Sequence, residues 1–479
     1  MDVNLIPLLP AAEIALAALT VLCLDLFLGP DEKGILGGIT TLGLVIAGAM
    51  ALFLWDSNEG AFGDTFWSDN FSLYFTELFL IVSLLTVLFS VHYLKETGIG
   101  IHAGEYYALI LFSTFGMTIM AATSDLILFF LGLETMSIAV YILTAMWRER
   151  AEASEAAMKY FIIGAFAAGF LLYGIALIFG ATGTTNVAHM SASSGRPAGQ
   201  PLFVAGVFLL LIGLAFKVAA VPFHFWVPDV YEGAPTPVTA FMAVSVKAAA
   251  FAGWGRIFLA QLGPMGDDWK FPLWALAILT MTLGNLLAIA QSSVKRMLAY
   301  SSIAHAGYLL IGVAAGNEAG GQALLFYLLA YAPMTLGAFG VVMALKDGEK
   351  DNEGYGSFAG LGLKRPFLGL AMSIFMFSLA GFPPLGGFTG KFYIFRSAVV
   401  AGYTDLAVIG ALNSVLSVIY YLRVIVMMYM EKGGVEPKPF AAAPYLYIAI
   451  ALAMAGTIYL GVLPSATLEI TRSSFLSLR

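Results

Sequence analysis

Apolar runs of about twenty residues recur along this whole chain, separated by short polar connections. Each is long enough to cross a hydrocarbon layer about 30 Å thick as one helix, and a helix satisfies its own backbone polar groups where no water can. With 60% hydrophobic and 11% charged residues over 479 positions, no stretch remains for a separate soluble domain. The expected fold is an all-α polytopic membrane protein of about fourteen transmembrane helices. The spans read as about 8–28, 35–55, 72–93, 105–121, 124–147, 156–180, 202–230, 236–258, 271–291, 296–315, 321–345, 367–401, 404–429 and 442–463. The seventh and twelfth are broken by prolines, and the tail after Leu463 reads as short and partly exposed. The N-terminus lacks the basic region of a signal peptide, so its apolar run is expected to be a retained helix.

Several function classes are excluded. A single cysteine, Cys23, allows no intrachain disulfide, no cysteine-held iron–sulfur cluster and no CxxCH haem site. There is no basic tract for nucleic acid, no phosphate-binding loop and no GxGxxG at a strand–helix junction. No His or Cys cluster has metal spacing, so the chain is expected to hold no cofactor or metal and to carry no electrons itself.

Orientation follows from the loop cations. Alternate connections hold Lys33, Lys95, Arg148, Arg150, Lys295, Arg296, Lys346, Lys350, Lys364, Arg365, Lys432 and Lys438, against Arg196, Arg256, Lys270, Arg472 and Arg479 on the other side. The positive-inside rule assigns the first set to the cytoplasm and both termini to the outer face. Six basic residues remain, all within spans: Lys159, Lys217, Lys247, Lys391, Arg396 and Arg423. Each charge at a helix centre opposes insertion by about 2.5–3.5 kcal/mol, so a shared use explains them better than chance. Lys159 opens its span and reads as interfacial; Arg423 lies near a span end and reads as an anchor.

Two stretches combine such a lysine with a helix break. In GLAFKVAAVPFHFWVPDVYEGAPTPVTAFMAVSVK (213–247), Lys217 precedes Pro222 by five residues, and Pro222 and Pro228 bracket HFW. Proline removes a backbone donor and clashes with the preceding turn, and a broken helix survives in a membrane only where protein or water covers it. That weighs against the alternative in which Lys217 snorkels to the surface. Lys247 follows Pro237 by ten residues, about 15 Å of helix, which is mid-membrane depth. In GFPPLGGFTGKFYIF, Pro383, Pro384 and the flanking glycines break the twelfth span just before Lys391. The two breaks align at an offset of 161 residues and suggest a transporter built from repeats. The chain then divides into 1–104 (three spans), 105–258 and 259–430 (five spans each, one broken) and 431–479 (last span and tail).

Glu134 lies ten residues past Ser124, about 15 Å along the fifth span. A carboxylate at that depth is neutral or paired, and Lys217 is the expected partner. The competing reading is a static ion pair that fixes helix packing, although buried pairs stabilise poorly compared with apolar contacts. Burial disfavours a charged lysine and a nearby carboxylate favours it, so Lys217, Lys247 and Lys391 could each take and release protons as neighbouring charges change. His305, in KRMLAYSSIAHAGYLL, and His224, beside the first break, each stand between a relay role and that of a satisfied core histidine. Tyr300, Ser301, Ser302 and Thr335 could hold water between the lysines, while Glu13, Asp25 and Glu77 lie nearer the span ends.

FKVAAVPFHFWVPDVYEGAPTPVTAF resembles the broken seventh helix of the antiporter-like subunits of respiratory complex I and of multisubunit cation/proton antiporters. KRMLAYSSIAHAGYLL matches that family too, and the likeness covers nearly the whole chain. Within that group, Lys391 in GFPPLGGFTGKFYIF, the fourteen spans and the lack of a long lateral C-terminal helix make the chain resemble one antiporter-like subunit of bacterial complex I more than its relatives, one of which carries an extended tail. The resemblance implies two inverted five-helix repeats and a proton path, with Glu134 paired to Lys217, a central Lys247 and Lys391 on the broken twelfth span. It implies a role as a proton-translocating subunit of a bacterial NADH–quinone oxidoreductase. NADH, flavin, iron–sulfur clusters and quinone would then be bound by partner subunits, and the peripheral redox arm would be reached through other membrane subunits. A component of a cation/proton antiporter is the alternative, and a scaffold whose charges only set packing is a third reading.

Overall fold

The apolar runs fold as helices, beginning with α1 (Leu9–Asp25) and α2 (Ile35–Phe53), then a hairpin of β1 (Glu59–Ala61) and β2 (Phe66–Ser68). There follow α3 (Asn70–Glu96), α4 (Ala103–Ala122), α5 (Leu126–Thr144) and α6 (Ala151–Thr182). The first broken element comprises α7 (Pro201–Lys217) and the short α8 (Val227–Gly233), and α9 (Thr236–Gln261) succeeds it. The next are α10 (Lys270–Ile289), α11 (Val294–Ala315) and α12 (Glu318–Ala344). The second broken element is α13 (Pro366–Ala380) with α14 (Gly386–Val400), and α15 (Thr404–Met430), α16 (Pro444–Val462) and α17 (Pro464–Leu476) complete the chain. This computed structural model describes residues 4–190, 200–263, 269–346, 352–437 and 443–478. Arg196, Lys350, Lys438 and Arg479 lie outside the described residues.

Among the described residues twelve helices are long and apolar enough to cross a membrane. The other two expected spans are assembled from half-helices, because Pro222 and Pro383–Pro384 interrupt them. The short, partly exposed tail after Leu463 is helical and docks: α17 lays Phe475 against Gly321, and Ser477 Oγ accepts from Phe71 N at 3.1 Å. Short polar residues set the helix starts. Asp125 Oδ1 accepts from Ile127 N (2.9 Å) and Leu128 N (3.0 Å) to open α5, and Asn317 Oδ1 accepts from Gly320 N (2.7 Å) to open α12.

Lipid supplies little hydrophobic drive for helix association, so close backbone approach matters. Glycine supplies it at matching places. A Cβ on Gly132 of α5 would sit 2.8 Å from Gly116 O of α4. One on Gly206 of α7 would sit 2.8 Å from Gly174 O of α6, and one on Gly284 of α10 would sit 2.6 Å from Ala304 N of α11.

The connections gather at two ends. At one, the β1–β2 hairpin bridges to the start of α5, through Phe66 to Thr123, and Asp125 bridges to Asn186. At the other, Ser293 bridges to Gly354, and Lys33 bonds Asp25 (2.9 Å) and Ile101 O (2.7 Å). Three cations expected in loops are buried. Arg256 lies inside α9 with its guanidinium on both Asp69 oxygens (2.7 and 2.9 Å), on Ala121 O (2.8 Å) and over the Phe71 ring. Lys295 is buried at the start of α11, and Lys346 lies over Trp147 at 3.9 Å. Their local sequences read as loop because each lies at or near a helix end; tertiary packing covers them.

Gly132→Val places a branched side chain against the α4 backbone, where one added group costs about 1–3 kcal/mol or more. The detergent-solubilised protein should lose several degrees of thermal stability. Gly169→Val, where nothing lies within 4 Å of an added Cβ, should leave the melting point nearly unchanged.

Candidate functional site

Lys217 is the last residue of α7 and is 2% exposed. Its ammonium donates to Ser137 Oγ (2.7 Å) and Tyr141 OH (3.4 Å), both on α5. Glu134 lies on the same α5 face, one turn before Ser137, and its Oε1 has no hydrogen-bond partner among the described residues. The expected direct Glu134–Lys217 pair is therefore not closed. Two hydroxyls stand in its place. Ser137 donates onward to Leu133 O (2.5 Å), so its lone pairs face the lysine.

The first part of the break beyond Lys217, residues 218–221, is buried in protein, while Pro222 and Phe225 are exposed. Val221 N donates to Thr280 Oγ1 of α10 at 2.9 Å. Pro228 falls in the first turn of α8, where proline's missing donor costs nothing. His224, partly buried at the break, makes no side-chain hydrogen bond that joins it to the lysines among the described residues.

Lys247 sits in α9 between two stretches of wider, π-helical turn, Met242–Val246 and Trp254–Gln261. It is 2% exposed in a fully buried span, so it cannot snorkel to either surface. Its ammonium donates to the Ser302 carbonyl and to Ser302 Oγ (2.8 Å) on α11.

The neighbouring Ser301 hydroxyl shares a short hydrogen bond with Tyr421 OH of α15. Tyr421 OH also meets His305 Nε2 at 3.0 Å, and His305 Nδ1 meets Tyr327 OH of α12 at 2.7 Å. Both imidazole nitrogens are engaged by groups that can donate or accept. Lys391, in the second turn of α14, crosses the second break and donates to Leu379 O (2.9 Å), Ala380 O (3.1 Å) and Ser414 Oγ (2.9 Å). It thereby caps the C-terminal end of α13, where unpaired carbonyls and the helix dipole favour a cation. Gly381 ends that helix with φ +92°, a conformation side chains resist, and a Cβ there would meet Lys391 Cδ at 3.1 Å. Lys391 also lies 4.9 Å over the ring of Tyr308, whose hydroxyl accepts from Asn285 at 3.1 Å.

The six span cations thus separate. Lys217, Lys247 and Lys391 are buried on polar partners, while Lys159, Arg396 and Arg423 reach the surface. Arg423 anchors its helix end on Gln291 O at 3.1 Å. Of the proposed water-holding residues, Ser301 and Ser302 join the buried chain directly. The tyrosines Tyr421, Tyr327 and Tyr308, with Ser137 and Tyr141, were not singled out by sequence. Their one signal is a phenol or hydroxyl far from either end of an apolar span, which is common enough to pass unnoticed. Among the described residues no three His, Cys, Asp or Glu side chains are grouped to hold a metal ion.

The family described as NADH:quinone oxidoreductase/Mrp antiporter, TM, matches residues 123–417, which include all five candidate relay residues. The chain is 46% identical over 474 residues to NADH-quinone oxidoreductase subunit N of Trichlorobacter lovleyi, covering 98% of this chain and 97% of that one. A chain of respiratory complex I from Thermus thermophilus, solved with bound aureothin, superposes with a TM-score of 0.80 at 39% identity and covers 96% of this chain and 98% of its own. A chain of the Mrp complex from Dietzia shares the fold, with a TM-score of 0.82 at 22% identity over 99% of this chain and 98% of its own. The chain belongs to the NADH–quinone oxidoreductase subunit N family of antiporter-like membrane proteins.

Proposed function

We propose that this multi-pass membrane protein is a proton-translocating subunit of a bacterial NADH–quinone oxidoreductase. The observation that carries this reading is a pair of buried polar groups inside an apolar bundle, Lys247–Ser302 and Ser301–Tyr421–His305–Tyr327, which meet at adjacent residues of α11 and together reach from α9 to α12. Every neutral member can accept a proton on one side and give one on the other. Lys217 with Glu134 at one end, and Lys391 at the other, supply charges that neighbouring subunits could raise or lower electrostatically. A charge change beside Glu134 would draw Lys217 from Ser137 and Tyr141 toward the carboxylate and alter the field at Lys247. Quinone reduction, flavin and iron–sulfur chemistry and NADH binding would belong to partner subunits, reached through the membrane arm.

The cytoplasmic membrane is the proposed location, with the end bearing Lys33, Arg148, Arg150, Lys295 and Arg296 inside and both termini outside. We read 105–258 and 259–430 as inverted repeats: the break falls in the fourth helical element of each, and α4–α5 and α10–α11 pack through glycine in both. The shared fold with an Mrp chain supports one second reading, cation/proton exchange without a redox partner. Sodium flux in vesicles lacking the electron-transfer subunits would favour it.

Lys247→Met should cut proton pumping several-fold per NADH oxidised, read with a pH-sensitive dye in inverted vesicles alongside electron transfer. Full pumping in assembled complex would remove the relay role. Tyr421→Phe deletes the hydroxyl between Ser301 and His305 and should also lower the pumping ratio, whereas Tyr445→Phe, an exposed residue, should not. Replacing Glu134 by Gln should weaken pumping while insertion is kept.

A further inference from the structure

At the basic end an ion-pair cluster ties the first broken helix to α11. Arg296, in the first turn of α11, places Nη2 2.9 Å from Asp229 and Nη1 2.5 Å from Glu232, so one guanidinium holds both acids of α8. Its neighbour Lys295 donates to the Glu232 and Ala234 carbonyls (3.0 Å each), which close the C-terminal end of α8, and pairs with Glu353 at 2.9 Å. Lys159 of α6 holds the other Asp229 oxygen at 3.1 Å and Glu155 at 2.8 Å. Arg296, Asp229, Glu232, Lys159 and Glu353, with Arg150, line a cleft of about 360 Å³.

The contacts continue inward on both sides. Trp226, just before α8, stacks on Tyr160 at 4.4 Å and on Phe216 at 5.2 Å, and Phe216 adjoins Lys217. Tyr160 follows Lys159 and packs edge-on against Tyr141 at 4.7 Å, and Tyr141 is a partner of Lys217. On the other side, Arg296 precedes Ser301, Ser302 and His305 on one helix, about 7.5, 9 and 13.5 Å along it. One end of the cluster thus meets the surroundings of Lys217, and the other is rigidly joined to the partners of Lys247. Asp229 and Glu232 are 40% and 39% exposed, and ion pairs so exposed contribute little stability. Their geometry, with one planar cation bridging two acids of the same short helix, suits alignment better than stability.

We propose that Arg296, through Asp229 and Glu232, is a positioning residue that keeps the Lys217 break in register with the Lys247–Ser302 relay on α11, so that proton transfer between them depends on this clasp. The proposal rests on the proton-relay reading above. Its test is the ratio of protons pumped to NADH oxidised in inverted vesicles, with Lys247→Met measured beside it. Unassembled complex adds to neither quantity, so a merely structural clasp would change the amount of complex and leave the ratio alone.

Arg296→Gln should lower the ratio several-fold, and Arg296→Lys, a point charge that cannot span both acids, should restore part of it. Asp229→Asn should fall in between and decides alone if Arg296→Gln does not assemble. An unchanged ratio in the assembled variants overturns the clasp. If Lys247→Met also leaves the ratio intact, the relay reading itself fails; if Lys247→Met lowers it while Arg296→Gln and Asp229→Asn do not, only the clasp fails.

Discussion

Inside a bilayer every backbone group must find a protein partner, and the architecture of this chain follows from how that demand is met at two broken helices. At the second break the freed carbonyls of Leu379 and Ala380 are taken by the Lys391 ammonium. At the first, Val221 N is taken by Thr280 of α10. The partner of a broken backbone is thus a buried cation in one case and a hydroxyl of α10 in the second. Each break brings polar chemistry to the interior that an unbroken apolar helix would keep out.

The buried lysines are tolerable because each has polar partners. Lys217 uses two hydroxyls of α5, Lys247 a carbonyl and hydroxyl of α11, and Lys391 a helix end. None of the three is locked to a carboxylate in the structure. A tight buried pair would hold a proton fast and resist change, whereas hydroxyl and carbonyl partners leave an ammonium sensitive to charges brought near it. Among the described residues, the fully buried ion pair of Arg256 with Asp69 joins α9 to the start of α3 and the end of α4.

Much of this was legible beforehand, for different physical reasons. Span positions follow from apolar length, and the breaks from proline, so both could be read locally. Lys217, Lys247 and Lys391 stood out because a cation at mid-span is costly. Tyr421 and Tyr327 did not, since a tyrosine in a membrane helix costs little and signals nothing until a histidine is seen against it. Arg256, Lys295 and Lys346 were misplaced for the converse reason: near a span end a cation looks solvated, and only packing shows that it is enclosed. The docked tail helix α17 escaped because its sequence is too mixed to announce a span.

The sequence by itself determined that this chain is a bundle of membrane helices with two proline breaks and three buried lysines, because length, proline geometry and the cost of charge in hydrocarbon act within one segment. Tertiary structure alone decided which groups those lysines meet. Lys217 of α7 meets Ser137 and Tyr141 of α5 rather than Glu134 one turn earlier, a matter of how the two helices pack. His305 is engaged at both nitrogens because α12 and α15 each bring a tyrosine to α11, and residues 305, 327 and 421 share no local pattern. Such meetings depend on how helices far apart in the chain settle against one another, and local periodicity carries no record of that.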